Sequence, residues 1–190
     1  MFILQRRGIF ITYTVQNIVA SANLGREIDL RHLSNVLTGA DYDPATFPGL
    51  VFRQKNPKTA TLIFRSGKIV CTGSKTLEQL TQSVDQVIRC ITKAGISVQT
   101  SPKIEVQNIV ASSDLGHPVN LVSVVFALGM ENVEYEPEVF PGLVYRLDDP
   151  KVVILLFGSG RLVCTGARKP EDVEKAVERI TKELRTVELL

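Results

Sequence analysis

The chain has 190 residues, 44% hydrophobic and 22% charged, which suits one large folded domain or two small ones and excludes a disordered polymer. No apolar run nears the ~20 residues of a membrane-spanning helix, so no membrane partner is expected. Three cysteines without close pairs argue against a disulfide framework, and His32 and His117 lack ligand partners at useful spacing; neither a metal nor another cofactor is expected.

The net charge of +2 conceals an asymmetry. Residues 1–95 hold 12 Lys+Arg against 6 Asp+Glu, a net +6, whereas residues 96–190 hold 10 against 14, a net −4. One half suits phosphates; the other offers acidic surface to a different partner.

At the N-terminus, Arg6-Arg7 and Gly8-Ile9-Phe10-Ile11 faintly resemble a twin-arginine signal. Thr12, Tyr13, Thr14 and Gln16 interrupt the apolar stretch, so the expectation is a first strand with a loose extension before it. Val15-Gln16-Asn17-Ile18-Val19-Ala20-Ser21 then recurs identically as Val106-Gln107-Asn108-Ile109-Val110-Ala111-Ser112. From Tyr42 to Gly73, 18 of 32 positions match Tyr135 to Gly166. Two copies make a duplicated domain, divided here as 1–95 and 96–190.

Each copy reads alike. A β-branched strand (Phe10–Ala20, Lys103–Ala111) leads to an N-cap, Asp29 or Asn120, and a short helical pattern. Three or four strands follow, with turns at Asp43-Pro44, Asn56-Pro57 and Ser66-Gly67 and their counterparts. A long amphipathic helix closes each copy: Thr76 and Gln79 have capping-box spacing in the first, and Pro170 fits the first helical position in the second. Gly95 should stop the first long helix. Cys71, Cys90 and Cys164 read as small buried hydrophobes, and Glu174, Lys175, Glu178 and Lys182 as solvent surface.

The fold class is therefore α+β: two tandem pseudo-twofold repeats, an antiparallel sheet, and four helices on one face. Such a sheet should alternate apolar and polar residues, yet both phases are apolar in Leu62-Ile63-Phe64 and Leu155-Leu156-Phe157. Either a partner chain covers the second face, or that face is kept open for a ligand.

At these residues the sequence resembles the TATA-binding protein family, from about Val15 to Leu184. Val-Gln-Asn-Ile-Val, Tyr-x-Pro-x-x-Phe-Pro-Gly-Leu-Val-[Phe/Tyr]-Arg and Phe-x-Ser-Gly-[Lys/Arg]-x-Val-Cys-Thr-Gly each occur twice, in order. Phe-Pro-Gly-Leu in both copies resembles archaeal members. The family is itself the reference example of minor-groove binding by a curved sheet with wedge insertion. The resemblance implies a saddle with its helices on the convex face. It implies a general initiation factor that binds and bends A·T-rich promoter DNA and recruits transcription factor B and RNA polymerase. It also implies a cytoplasmic, nucleoid-associated location, or a nuclear one in a eukaryote.

By the same resemblance, Phe47, Phe64, Phe140 and Phe157 would intercalate. Asn17, Val19, Leu62, Val70 and Thr72, with Asn108, Val110, Leu155, Val163 and Thr165, would line the minor groove. Arg53, Lys58, Lys68, Lys75, Arg146, Lys151, Arg161 and Arg168 would hold phosphates, and Glu136, Glu138 and Val139 would form a partner-binding stirrup. Arg65 faces Gly158 in the repeat alignment, so one phosphate contact would be one-sided. Free of DNA, the apolar face could pair with a second copy. Two other classes stay open from the residues alone: a module binding an apolar protein or lipid, and an enzyme, for which no nucleophile–base set or phosphate loop appears.

Overall fold

The computed structural model describes residues 2–6, 9–129 and 131–190. In chain order the first repeat holds β1 (Phe2–Arg6), β2 (Ile9–Asn23), α1 (Leu30–Val36), β3 (Ala40–Asp41), β4 (Leu50–Lys55), β5 (Lys58–Ile63), β6 (Lys68–Ser74) and α2 (Leu77–Lys93). The second holds β7 (Glu105–Asp114), α3 (Leu121–Leu128), β8 (Val133–Glu134), β9 (Gly142–Leu147), β10 (Val152–Phe157), β11 (Arg161–Ala167) and α4 (Pro170–Thr186). Four helices and antiparallel strands in two repeats are the α+β class read from the sequence. The extension is not loose as expected: Phe2–Arg6 pairs antiparallel with Ile9–Tyr13.

By its contacts the chain divides into two compact units, Asn17–Gln107 and Met1–Gln16 with Asn108–Leu190. The units do not begin where the repeats do, because β2 and β7 each contribute to both.

In the first unit the sheet runs β3-β4-β5-β6-β2. Along β5 and β6 the residues alternate: Thr61, Ile63, Ile69 and Cys71 are buried, while Leu62, Val70 and Thr72 between them are half-buried. α2 packs on β6 and supplies the other side of the core through Leu80, Val84, Val87, Ile88 and Ile91. These five recur at helical spacing, so one stripe faces the sheet and the charged residues face water. Thr76 caps α2 by accepting from the Gln79 N–H at 3.2 Å. The return bond of the expected box goes one residue further back, from the Lys75 N–H to Gln79 Oε1 at 3.0 Å. Past the helix, Gly95 adopts φ +83, and the Ile96 N–H donates to Ile91 O at 3.2 Å, so Gly95 does stop the helix.

The second unit has the order β7-β11-β10-β9-β8. α4 packs on β10 and β11; its Val173, Ala176, Val177, Ile180 and Leu184 are buried, as are Ile154, Leu156, Leu162 and Cys164 of those strands. Tyr13 of β2 donates through its hydroxyl to Glu174 of α4 at 3.2 Å. Glu174 is thus engaged with β2 and is not plain solvent surface. Cys71 and Cys164 are buried as expected, but Cys90 is only half-buried.

The two cores differ in their buried polar groups. In the first, Gln54, Thr59 and Ser83 are buried and bonded together: Thr59 Oγ1 donates to Gln54 Oε1 at 2.7 Å and lies 2.6 Å from Ser83 Oγ. Leu147, Val152 and Ala176 hold the same places in the second and are buried without polar side-chain atoms.

Candidate functional site

The half-buried strand phase assembles into cross-strand rows on the face away from the long helix. In the first unit Val51, Leu62, Val70 and Ser21 stand side by side across β4, β5, β6 and β2. Next to them, Arg53, Ala60 and Thr72 form a second row. The second unit repeats this with Val144, Leu155, Val163 and Ser112, and with Arg146, Val153 and Thr165. All the valines and leucines in these rows are half-buried. Val19 and Val110 share that degree of exposure on β2 and β7. Each unit therefore keeps an apolar sheet face that its own helices do not cover, which is the mismatch seen in the sequence.

A pair of phenylalanines stands at one end of each face. Phe47 and Phe64 meet edge to face with ring centroids 5.9 Å apart, and Phe140 and Phe157 do the same at 5.8 Å. This is a favourable aromatic geometry. Of these four residues only Phe157 lies within a strand: Phe47 and Phe140 lie in the loops before β4 and β9, and Phe64 follows β5. Those loops are folded back by the Phe47 and Phe140 N–H groups, which donate at 2.9 Å to Asp43 O and Glu136 O. A glycine makes room for each pair. A Cβ on Gly49 would lie 2.8 Å from Cε1 of Phe47 and 3.0 Å from Cε1 of Phe64. Gly142 faces Phe140 and Phe157 at 2.7 and 3.0 Å.

The asparagines sit at a break in register. Pairing of β2 with β6 shifts between Ile18 and Ala20, and that of β11 with β7 between Cys164 and Ala167. The shift frees one backbone N–H in each unit for a side chain: Gly73 donates to Asn17 Oδ1 at 2.8 Å, and Gly166 to Asn108 Oδ1 at 2.7 Å. A Cβ at Gly73, which has φ +99, would meet Lys58 O at 3.0 Å, so only glycine fits this turn of the chain. Each amide also contacts a threonine hydroxyl, Thr72 at 3.1 Å or Thr165 at 3.3 Å. A backbone donor on the carbonyl oxygen fixes which way the amide points and leaves an N–H to offer a ligand.

Basic residues border the faces. Arg53, Lys58 and Lys68 are exposed and continue the half-buried phase of β4, β5 and β6, as Arg146, Lys151 and Arg161 do for β9, β10 and β11. Lys75 and Arg168 are exposed beyond β6 and β11. Arg65 is exposed and lies 3.7 Å from Glu27, whereas Gly158 at the matching place has no side chain to offer. The loop with Glu136 and Glu138 is exposed, and Val139 within it is 80% exposed.

Several contacts were not read from the sequence. Gln107 donates to Ser21 Oγ at 2.9 Å and Gln16 to Ser112 Oγ at 2.7 Å, tying polar residues together along the faces. Ser21 and Ser112 stand four residues after Asn17 and Asn108, so strand alternation puts them on one face with the asparagines, whereas the glutamines adjacent to the asparagines carried no such signal. Arg146 bonds Glu134, and Arg161 lies beside Asp114. Burial pushes the Cys71 thiol up and that of Cys164 to about 12, which removes both as nucleophiles at neutral pH. Among the described residues no three His, Cys, Asp or Glu side chains are grouped to hold a metal, and no helix is long and apolar enough to cross a membrane.

The family model described as transcription factor TFIID (or TATA-binding protein, TBP) matches residues 12–94 and 103–187. A TATA-box-binding protein of Archaeoglobus fulgidus is 54% identical over 176 residues, covering 93% of this chain and 96% of its own. TATA-box-binding protein E of Halobacterium salinarum is 54% identical over 179 residues, covering 94% and 96%. Among solved structures, Methanococcus jannaschii TBP superposes with a TM-score of 0.85 at 46% identity, covering 92% of this chain and 98% of that one.

Proposed function

The chain belongs to the TATA-binding protein family, and from that premise we propose that it binds A·T-rich promoter DNA in the minor groove, bends it, and recruits transcription factor B and RNA polymerase. The family is one of DNA-binding transcription factors, not enzymes. The observation that carries the reading is the pair of uncovered apolar sheet faces, each ended by an edge-to-face phenylalanine pair and bordered by basic residues.

The chemistry follows from the groove. At A·T pairs its floor offers only acceptors, adenine N3 and thymine O2, whereas guanine adds an amine. The outward amide N–H groups of Asn17 and Asn108 suit those acceptors, with Thr72 and Thr165 beside them. An apolar floor of Val19, Leu62, Val70, Val110, Leu155 and Val163 has nothing to pair with the guanine amine. A·T preference results from both.

Phe47 with Phe64, and Phe140 with Phe157, act as wedges. A wedge must be apolar and rigid, because it replaces base stacking that costs a few kcal/mol per step to open. Arg53, Lys58, Lys68 and Lys75, with Arg146, Lys151, Arg161 and Arg168, meet phosphates and fix the register. Glu136, Glu138 and Val139 form the partner contact in the acidic half. Without DNA, the same apolar faces are where a second copy would pair. The protein would work beside the genome, in the cytoplasm of a cell without a nucleus.

The test is a bending assay on A·T-rich and G·C-rich duplexes over a salt series, with Phe140→Ala and Phe157→Ala beside the native chain. Expected are A·T preference, a bend, log affinity falling linearly with log salt, and loss of the bend in both variants at native fold. A native chain that binds both duplexes equally without a bend would falsify the reading.

A further inference from the structure

Arg53 and Lys68 of the first repeat hold the same places as Arg146 and Arg161 of the second, but their surroundings differ. Glu134 accepts from Arg146 Nε at 3.2 Å and Nη2 at 3.3 Å, and Asp114 lies 3.6 Å from Arg161 Nε. Their counterparts Arg53 and Lys68 form no ion pair among the described residues. Two small changes account for this. Glu134 stands opposite Val144 as Asp41 stands opposite Val51, but Asp41 is one methylene shorter. Asp114 stands opposite Arg161 as Asn23 stands opposite Lys68, in the same register but without a charge on the first repeat's side.

We propose that Glu134 and Asp114 weaken the second repeat's hold on the DNA backbone, so that the first repeat grips phosphates more tightly. This rests on the phosphate roles assigned above. All four side chains are more than half exposed, so in the free protein the pairs are readily broken. The effect is on the bound state. A carboxylate within 4 Å of a guanidinium cancels most of its local charge and repels an arriving phosphate, and fewer counterions are then released on binding. Arg65 and Glu27 form the first repeat's own ion pair, at a place where the second has Gly158, so it leaves the matched comparison intact.

The experiment measures DNA affinity over a salt series for the native chain, the double variant Glu134→Gln/Asp114→Asn, Asn23→Asp, and Glu178→Gln on α4 as a remote charge control. Each phosphate neutralised adds about 0.9 to the log–log slope. The double variant should steepen it by about 1 to 2 units and bind at least tenfold tighter at low salt. Asn23→Asp should flatten it by about 1, and the control should leave it unchanged. A second measurement compares Arg53→Gln with Arg146→Gln. The first should cost more affinity in the native background, and the gap should close when Glu134→Gln is added. A double variant with the native slope, or one matched by the control, overturns the proposal. A native chain with no salt slope at all overturns the phosphate reading itself, which is a different result.

Discussion

Asn108 accepts the Gly166 backbone N–H at 2.7 Å, and this bond decides which end of its amide is offered outward. Asn108→Asp keeps an oxygen for Gly166 but turns the outward donor into a charged acceptor, facing groove atoms that are acceptors too. The expected outcome is a chain with native unfolding behaviour whose affinity for A·T-rich DNA falls at least tenfold, about 1.4 kcal/mol. Equal affinity in a titration of both proteins would remove Asn108 from the groove contacts. Asn108→Ala is a poorer probe, because it also orphans the Gly166 N–H.

Gly142→Ala tests the phenylalanine pair without touching it. The backbone there needs no glycine-only conformation, but the new methyl would lie 2.7 Å from the Phe140 ring and 3.0 Å from that of Phe157. Both rings are half-buried at the end of the face, so they can swing away at a folding cost of about 1–3 kcal/mol or less. The bend angle, read by energy transfer between dyes on the duplex ends, should drop while the unfolding midpoint shifts only modestly. An unchanged bend would mean the pair's native spacing is irrelevant to wedging.

Thr61 is fully buried, and among the described residues its hydroxyl, like that of Ser74, has no oxygen or nitrogen partner. Both hydroxyls face Cys71, whose sulfur is a weak acceptor. Ile154 fills the matching place in the second repeat without a polar atom. Thr61→Val keeps the shape and removes the unpaired group, so it should stabilise the chain by about 1 kcal/mol. Urea unfolding reads this as a higher midpoint at unchanged slope. DNA affinity should stay native, since Thr61 belongs to the buried phase.

The Tyr145 hydroxyl donates to Glu183 Oε2 at 2.8 Å. Burial first, and the neighbouring carboxylate second, push the phenol up from its ordinary value of 10.0 to about 12. A group raised in the folded state contributes stability that is whole below the unfolded value and is lost as pH climbs through the folded one. Native stability should therefore exceed that of Tyr145→Phe below pH 10 and converge with it between pH 10 and about 12. The convergence is limited to about 1.4 kcal/mol per pH unit. A constant gap across urea midpoints taken from pH 8 to 11 would contradict the assignment.

Much of this was legible in the residues because it repeats or alternates. The helices follow from apolar spacing and caps: Asp29 and Asn120 accept from His32 and Ser123 N–H groups, as their positions before a helical stripe implied. The uncovered face followed from Leu62 and Phe64 being as apolar as Ile63. What escaped depends on reach. Whether Arg53 or Arg146 meets a carboxylate is decided by one methylene between Asp41 and Glu134, which no pattern of apolar and polar residues encodes. Tyr13 reaching Glu174 spans 161 residues of sequence, so its partner could not be read from local spacing. The buried Gln54–Thr59–Ser83 group broke the symmetry of the core without breaking that of the motifs.

The partition of β2 has a consequence for the order in which the protein is made. Residues 17–107 are continuous, and their partners have all been synthesised once α2 and the start of β7 have emerged. The other unit needs its first 16 residues and its last 83 together. Its opening strand must wait, unpaired with β7 and α4, while the whole intervening segment is translated. Contacts that close so long a loop form late. The first unit is thus ready to fold before the second, which waits until α4 has emerged and Tyr13 can at last meet Glu174.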